Sequence, residues 1–486
     1  MATEIKRIQD QFQSGLWPQF VENIELINLR SWKYQGVNFR FPVTAIIGEN
    51  GTGKSTLLKS LACAYEHPSD PKRTYYPSKF FIDTQWEKLS NCKISYRVKM
   101  GDSVKTFNIR KPSQRWIYPS ERLKRDVYIL DISRTLPLDA TVGYAKLAKQ
   151  SQEEVSDVEL SPENQDSLSY ILGRNYLSAR FATTDFDDKK QVGILGREFG
   201  EMSQFHQGAG EDSTLDLFQL FETLPQYSLL IIDELEASLH PKAQRRLTKY
   251  LLTLSRKKRI QVVLSTHSPY VLEELPPEAR ILLVPNDQGA INIITNVSTE
   301  FSMSKVDDTD NPELYLYVED KEAEILIYEI LKLLDPDDRL IPRVKCVVVG
   351  PANVVQTMGK LSLKKQLPVP GLGVLDGDIE ESEGCINLPG EAAPEIVVFN
   401  GLKDLNWPNL DARFGIGAGT LFTILEEAML NQNHHKWPMI VGDKVRMGGG
   451  NVWQILTKEW ASSCLDEDVG NSLKATVVEA LDNVTT

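Results

Sequence analysis

Residues 43–55 read VTAIIGENGTGKS and residues 227–234 read YSLLIIDE; these two stretches decide the fold. VTAII is unbroken apolar sequence, the pattern of a strand buried on both faces in a parallel sheet. GENGTGKS, residues 48–55, follows at once, and TLLKSLACAY continues as a helix. Strand, glycine-rich turn and helix in that order are the setting of a G-x-x-x-x-G-K-S phosphate-binding loop. Its glycines let the backbone wrap closely enough for N–H groups to face phosphate oxygens. Gly48, Asn50, Gly51, Gly53, Lys54, Ser55 and Thr56 are therefore the expected nucleotide-binding set, with Lys54 on the terminal phosphates and Ser55 as an Mg²⁺ ligand.

The second stretch supplies the other half of such a site. In LLIIDE four apolar residues bury the strand, and Asp233 emerges at its C-terminal end, where a carboxylate holds the Mg²⁺ shell. Glu234 stands beside it, placed to polarise an attacking water. A third apolar strand, IQVVLSTHS, ends at His267, a position suited to sensing a γ-phosphate. ATP and Mg²⁺ are the expected cofactors.

Between and around these strands the chain alternates β and α. The helix EASLHPKAQRRLTKYLLTLSR separates YSLLIIDE from IQVVLSTHS. The expected fold class is α/β, a mostly parallel sheet with helices on its faces. Residues 150–167, QSQEEVSDVELSPENQDS, are acidic and polar, the composition of a mobile insertion or linker. Residues 72–130 carry basic patches (RVKM, IRKPSQR, SERLKR) among short strand-like pieces. A polar run at residues 297–312 marks a domain boundary, after which the alternation restarts. The expected domains are 1–300, 313–400 and a C-terminal extension, 401–486.

These features resemble the ABC-type ATPases, in particular the branch that holds SMC-like, RecF-like and OLD-family proteins. IIDELEASLHP looks like that family's Walker B with the following D-loop, at Glu236, Ala237, Ser238 and Leu239. STHSP looks like its switch-histidine motif, which gives His267 that role. HQGAGED, residues 206–212, is the best match to the signature segment. Gly208 stands in place of the usual serine, while Gly210 and Glu211 fit. The resemblance implies two ATPase domains sandwiching two ATP molecules, with Gly208 and Gly210 facing the partner's nucleotide. One ATPase unit per chain then implies a homodimer or a higher even-numbered homo-oligomer.

The C-terminal half holds a second pattern. Glu319 ends LYLYV, and Asp376 and Asp378 end GLGVL as D-G-D. Adjacent parallel strands present their carboxyl ends at one edge, so these acids converge. Carboxylates around a tight glycine turn make a hard-oxygen site for Mg²⁺ or Mn²⁺, and such a metal activates water and offsets charge on a phosphodiester. This arrangement resembles a Toprim domain over about residues 313–400, with Glu319 as the family's glutamate and Asp376 and Asp378 as its DxD pair. VVGPANVVQTMGKL, with Gly350 and Asn353, resembles the connecting loop and helix. Glu391 or Glu395 is a candidate further acid, and Lys403 a candidate lysine. Asp320 replaces the usual glycine after the glutamate. His434 and His435, in NQNHHKW, have no cysteine or acid at ligand spacing and read as a solvated loop.

An ATPase core followed by a Toprim-like domain is the arrangement of OLD-family nucleases and related prokaryotic defence ATPases. The resemblance implies an ATP-controlled, metal-dependent nuclease acting on phage or plasmid nucleic acid. The alternative is an ATP-dependent sensor or scaffold that holds and releases a separately encoded effector.

The bulk composition fits either. Across 486 residues, 54 Lys and Arg against 67 Asp and Glu leave a net charge of −13. Such a chain does not coat nucleic acid indiscriminately, so contact needs a local basic groove or a partner. Five cysteines without a CxxC pair argue against a zinc site or a disulfide framework and suit a reducing compartment. No apolar run long enough to span a membrane occurs, and the polar N-terminus lacks a signal peptide's apolar stretch. The expected setting is cytoplasmic, without membrane contact.

Overall fold

The computed structural model describes residues 2–135, 153–185, 187–286, 289–307, 311–336 and 339–485. The chain divides into two compact units, Met1–Thr309 and Asp310–Thr486, each with its own apolar core.

In the first unit the strands are β1 (Phe20–Leu29), β2 (Trp32–Asn38), β3 (Val43–Ile47), β4 (Cys92–Met100), β5 (Ser103–Lys111), β6 (Val127–Leu130), β7 (Glu154–Glu159), β8 (Ser178–Thr184), β9 (Asp187–Arg197), β10 (Gly200–Ser203), β11 (Leu229–Ile232), β12 (Gln261–Ser265), β13 (Arg280–Pro285) and β14 (Ile291–Thr295). The central sheet runs β14-β13-β3-β12-β11-β6. All its pairings are parallel except β13 with β14. Every residue of β3, β11 and β12 is buried, which is why these strands read as continuous apolar runs. Two four-stranded sheets, β2-β1-β4-β5 and β10-β9-β8-β7, accompany it, and all their pairings are antiparallel.

One expectation changes here. The acidic stretch near 150–167 is not a linker where it is described. Glu154–Glu159 pairs with β8 as an edge strand, and Pro162–Leu172 is a helix. All six residues of β7 are exposed; an edge strand of that kind takes charged side chains, which blunt pairing with other chains. Of the basic residues of 72–130, most are exposed, Arg97, Arg110, Arg115 and Lys124 among them, and three are tied into the fold. Lys111 is buried against Asp83 at 2.6 Å. Arg125 is buried, donating to the carbonyls of Tyr227 (2.6 Å) and Ser228 (3.1 Å). Arg122 donates to the carbonyls of Cys63 (2.8 Å) and Tyr65 (2.9 Å).

The second unit has a four-stranded, all-parallel sheet of β15 (Leu314–Val318), β16 (Val344–Val348), β17 (Gly371–Leu375) and β18 (Cys385–Asn387), ordered β16-β15-β17-β18. The residues after 400 are not a separate extension. Trp453, Leu456 and Trp460, on the helix Gly449–Ser463, share one core with Leu326, Ile327 and Ile330 of the helix Lys321–Leu334. Trp453 Nε1 donates to the Glu322 carbonyl at 3.0 Å. The last 85 residues read as weakly periodic because their apolar side chains complete this core from several short helices rather than along one face. Among the described residues no helix is long and apolar enough to cross a membrane.

Candidate functional site

The carboxyl ends of β3, β12 and β11 lie side by side, since β12 pairs in parallel with both neighbours. Residues 48–53 leave β3, His267 follows β12, and Asp233 and Glu234 follow β11. Three sequence-predicted pieces, far apart in the chain, therefore meet at one sheet edge, where α/β folds bind ligands.

The loop is shaped by its glycines. Gly48 has φ 150° and Gly53 has φ 93°. A Cβ on Gly48 would fall 2.6 Å from the Leu283 carbonyl oxygen, and one on Gly53 would fall 2.5 Å from Trp32 Nε1. Trp32 Nε1 in turn donates to the Gly53 carbonyl at 3.2 Å, so β2 props the loop from behind. The helix Lys54–Ala62 starts directly after Gly53 and directs its unpaired N-terminal N–H groups at the loop's concave side. Lys54 is buried, with Nζ donating to the carbonyls of Gly48 (2.7 Å) and Glu49 (2.9 Å). Burial lowers its pKa, opposed by the charges of Asp233, Glu234, Glu236 and Glu49. Ser55 is exposed and Thr56 buried.

Ser265, the last residue of β12, ties the acids in place. Its hydroxyl donates to Asp233 Oδ1 and accepts from the Glu234 backbone N–H at 2.8 Å. Glu234 holds a left-handed backbone, φ 52°, a conformation that costs a residue with a side chain of order 1 kcal/mol or more. Glu236, expected only as part of a D-loop, also braces the strand end, accepting from Thr266 Oγ1 at 2.7 Å and from the His267 N–H. His267 Nε2 is buried without a hydrogen-bond partner. Burial and the nearby Lys54 lower the pKa of this imidazole, with Glu236, Glu234 and Asp233 opposing, so it stands neutral at pH 7.

A glycine cradle, a buried ammonium and an unpartnered imidazole beside two carboxylates are a donor set that fits a nucleoside triphosphate with Mg²⁺. Gly48, Asn50, Gly51, Gly53, Lys54 and Thr56 would hold the phosphates, and Ser55 with Asp233 the metal.

The signature segment lies apart from those strand ends in the chain. Gly208 caps the helix Ala209–Thr223. Gly210, in its first turn, abuts the strand-end segment, since a Cβ there would lie 2.5 Å from the Ser238 carbonyl oxygen. Glu211 is engaged by Arg197 in an ion pair and by the Tyr176 hydroxyl. Within this chain Gly210 is thus a close-packing glycine between the signature helix and the Ser238 turn, where φ is 64°.

In the second unit β15 and β17 are neighbours in parallel, so Glu319 and Asp376 leave the sheet at the same edge. The D-G-D turn is tight: a Cβ on Gly377 would lie 2.3 Å from the Gly390 carbonyl oxygen. Asp376 is buried, Glu319 partly buried and Asp378 exposed. Burial pushes the Asp376 carboxyl up to about 7, reinforced by the charges of Glu319, Asp320, Asp378 and Glu395. Burial and Asp320 raise Glu319, while the backbone N–H groups of Ala352 and Asp376 act the other way. Glu319 Oε1 and Asp376 Oδ1 are buried without hydrogen-bond partners. Unpaired carboxylate oxygens among like charges are the donors a divalent cation requires, and Glu319 and Asp376 each offer one here.

The residue after Glu319 has its own reason. Asp320 caps the helix Lys321–Leu334, accepting from the Ala323 N–H at 2.8 Å. Lys403 lies 3.9 Å from Glu426 in an ion pair, and Glu391 is exposed. Glu395 is fully buried. The solvated-loop reading of His434 and His435 does not hold: both imidazoles face Glu395, His435 Nδ1 at 2.7 Å and His434 Nδ1 at 3.4 Å. The sequence offered no signal for this, because the acid lies about forty positions away on a different helix.

Comparison with known proteins places the first unit. Residues 202–273 match a family model described as "AAA domain, putative AbiEii toxin, Type IV TA system". That span runs from the signature segment through Asp233 to just past His267. No match was found among curated proteins. Similar solved structures include an SMC head domain from Thermotoga maritima (14% identity, TM-score 0.36, covering 57% of this chain and 99% of that one). An Smc head bound to the C-winged helix domain of ScpA (16%, 0.39, 59% and 99%) is another. A third is an Smc head with an extended coiled coil bound to the C-terminal domain of ScpA, derived from Pyrococcus furiosus (13%, 0.39, 60% and 99%). At these values the structural matches carry no statement about activity or partners. The first unit has an α/β P-loop ATPase-like core.

Proposed function

We propose that the chain is an Mg²⁺-dependent ATPase whose nucleotide cycle controls a Toprim-type, metal-dependent nuclease centre in the second unit, acting on phage or plasmid nucleic acid. The observation that carries the ATPase half is the meeting of loop 48–55, Asp233 with Glu234, and His267 on three adjacent parallel strand ends. Mg²⁺, held by Ser55 and Asp233, would supply charge compensation for the triphosphate. Lys54 and the loop N–H groups hold the phosphates, Glu234 takes the proton of the attacking water, and neutral His267 contacts the terminal phosphate.

For the nuclease half, the support is the pair of unpartnered acid oxygens on β15 and β17. A divalent ion there would supply Lewis-acid chemistry. Glu319 and Asp376 would hold it from adjacent strands, with Asp378 completing the shell from the solvent side. The description matched by residues 202–273, "putative AbiEii toxin, Type IV TA system", supports a defensive role. A homodimer or higher even-numbered assembly, with Gly208 and Gly210 facing a partner's nucleotide, rests on the resemblance to ABC-type ATPases, as does a separately encoded partner protein.

The test is cleavage of DNA and RNA with Mg²⁺ or Mn²⁺, with and without ATP, by wild type and by Asp376→Ala/Asp378→Ala. Cutting by wild type, lost in the double variant with ATP turnover retained, is the expected result. ATP hydrolysis without cutting under any of these conditions replaces the nuclease reading with an ATP-dependent scaffold for a separate effector.

A further inference from the structure

We propose that Glu395, His434 and His435 form a binding site for one zinc-type divalent cation, distinct from the Glu319/Asp376/Asp378 edge. Glu395 is the second residue of the helix Pro394–Asp404 and is 0% exposed. His434 and His435 sit in the short turn His434–Lys436, which leads into the helix Trp437–Val445. One imidazole addresses each oxygen of the carboxylate. His435 Nδ1 is hydrogen-bonded to Oε1 at 2.7 Å. His434 Nδ1 stands 3.4 Å from Oε2 without forming a hydrogen bond, leaving both atoms buried and unpartnered.

A buried carboxylate with one hydrogen bond is costly. Its place in the first turn of a helix offsets only part of that cost. Further acids surround the group: Asp320 and Glu322 are within electrostatic reach of His435, and Glu395 is within reach of Glu322 and Asp376. Among the described residues, the ion-pairing partners of Glu395 are these two imidazoles. A cation between them and the carboxylate would satisfy both unpartnered atoms at once.

The geometry suits a particular class of ion. One ligand atom from each of the three residues falls within 4.8 Å of the others. Four ligands at about 2.1 Å in a tetrahedron stand roughly 3.4 Å apart, which is the His434–Glu395 separation found. Two imidazoles and one carboxylate favour Zn²⁺ and its first-row neighbours over Mg²⁺, which prefers oxygen. The turn is anchored as a ligand loop needs to be. Asn433 Oδ1 accepts from the His435 N–H at 3.1 Å. Trp437 Nε1 donates to the Asn431 carbonyl at 2.8 Å. Three protein ligands leave a fourth position for water or a phosphate oxygen.

The test uses the full chain, stripped with a chelator and carrying Asp376→Asn and Asp378→Asn so that the three-acid edge contributes no binding. It is titrated with Zn²⁺, read by metal analysis after gel filtration, and separately with Co²⁺, read by its visible absorption. The expected result is one Zn²⁺ per chain and the Co²⁺ bands of a four-coordinate site with nitrogen ligands. His435→Ala, at a side chain 57% exposed, weakens binding by roughly 10-fold or more; because it also removes the hydrogen bond to the buried Glu395 carboxylate, uptake is compared at a temperature where the metal-free variant is shown by its melting curve to be folded. Glu395→Gln gives the same loss. No uptake, or uptake unchanged by His435→Ala, overturns the proposal and leaves the imidazoles as hydrogen-bonding partners of Glu395. The altered background makes this outcome independent of whether the three-acid edge cuts phosphodiesters.

Discussion

In the first unit the carboxyl ends of β3, β12 and β11 carry a glycine cradle, a buried lysine and a helix N-terminus; in the second, the same edge of β15 and β17 carries carboxylates with unpartnered oxygens. Both obey one topological rule, that parallel strands open their ligand site at their carboxyl ends. They are furnished for ligands of opposite sign. The first edge gathers N–H donors and an ammonium, and its two acids are held near that positive charge by Ser265. The second gathers like charges, and burial leaves Asp376 with a carboxyl pushed up to about 7. An edge built of donors binds an anion directly, whereas an edge built of acids needs a cation as intermediary.

The sharpest way to break this comparison is to remove the charge from the first edge. Lys54→Ala should weaken ATP binding by roughly 100-fold, as expected when one partner of a buried charge contact worth about 2–5 kcal/mol is truncated; calorimetric titration with ATP and Mg²⁺ measures it. Glu234→Gln should keep that binding while slowing turnover by roughly 100-fold or more, read by phosphate release. Equal turnover in wild type and Glu234→Gln would remove the glutamate from the reaction.

A smaller effect is expected at two close-packing glycines, Gly210 of the first unit and Gly377 of the second. Gly377→Ala sets a methyl group against the Gly390 carbonyl, and Gly210→Ala sets one against the Ser238 carbonyl. Each should cost about 1–3 kcal/mol of stability, measured by denaturant unfolding. Gly377→Ala should also lower divalent-metal affinity, because the D-G-D turn has to open. A neutral Gly377→Ala would show that the turn has room and that its shape does not set the spacing of the acids.

The smallest effect concerns a half-buried acid that serves neither edge. Asp216 lies on the signature helix beside Asp212, and Gln204 Nε2 donates to both at 2.7 Å. Burial and the Asp212 charge push the Asp216 carboxyl up to about 7, against the Gln204 hydrogen bond. Its folded pKa therefore exceeds the unfolded one, so the native state binds more protons between about pH 4 and 7 and loses stability as pH rises through that window. Asp216→Asn should flatten this dependence, raising the melting temperature of the first unit at about pH 8 more than at about pH 5. The limit is about 1.4 kcal/mol per pH unit. Parallel pH profiles for wild type and variant would mean that Asp216 is already ionised and solvated.

What the sequence determined by itself is what lies within single segments. A strand buried on both faces writes itself as an apolar run, and a loop that wraps a phosphate must contain glycines, so VTAIIGENGTGKS and LLIIDE carried the α/β class and the nucleotide edge. LYLYVED and GLGVLDGD carried the acids of the second edge, since neighbouring parallel strands follow from a β/α/β/α alternation. Only the tertiary structure decided which strands are neighbours, and with it that Ser265 and Glu236 position the ATP-edge residues. Only it showed that Gly210 packs on Ser238, that the acidic stretch after residue 153 forms an edge strand, and that the helices after residue 400 close the second core. His434, His435 and Glu395 are the clearest case. An imidazole pair becomes a ligand set through the carboxylate that faces it, and helix packing, not chain spacing, brings that carboxylate within 3.4 Å.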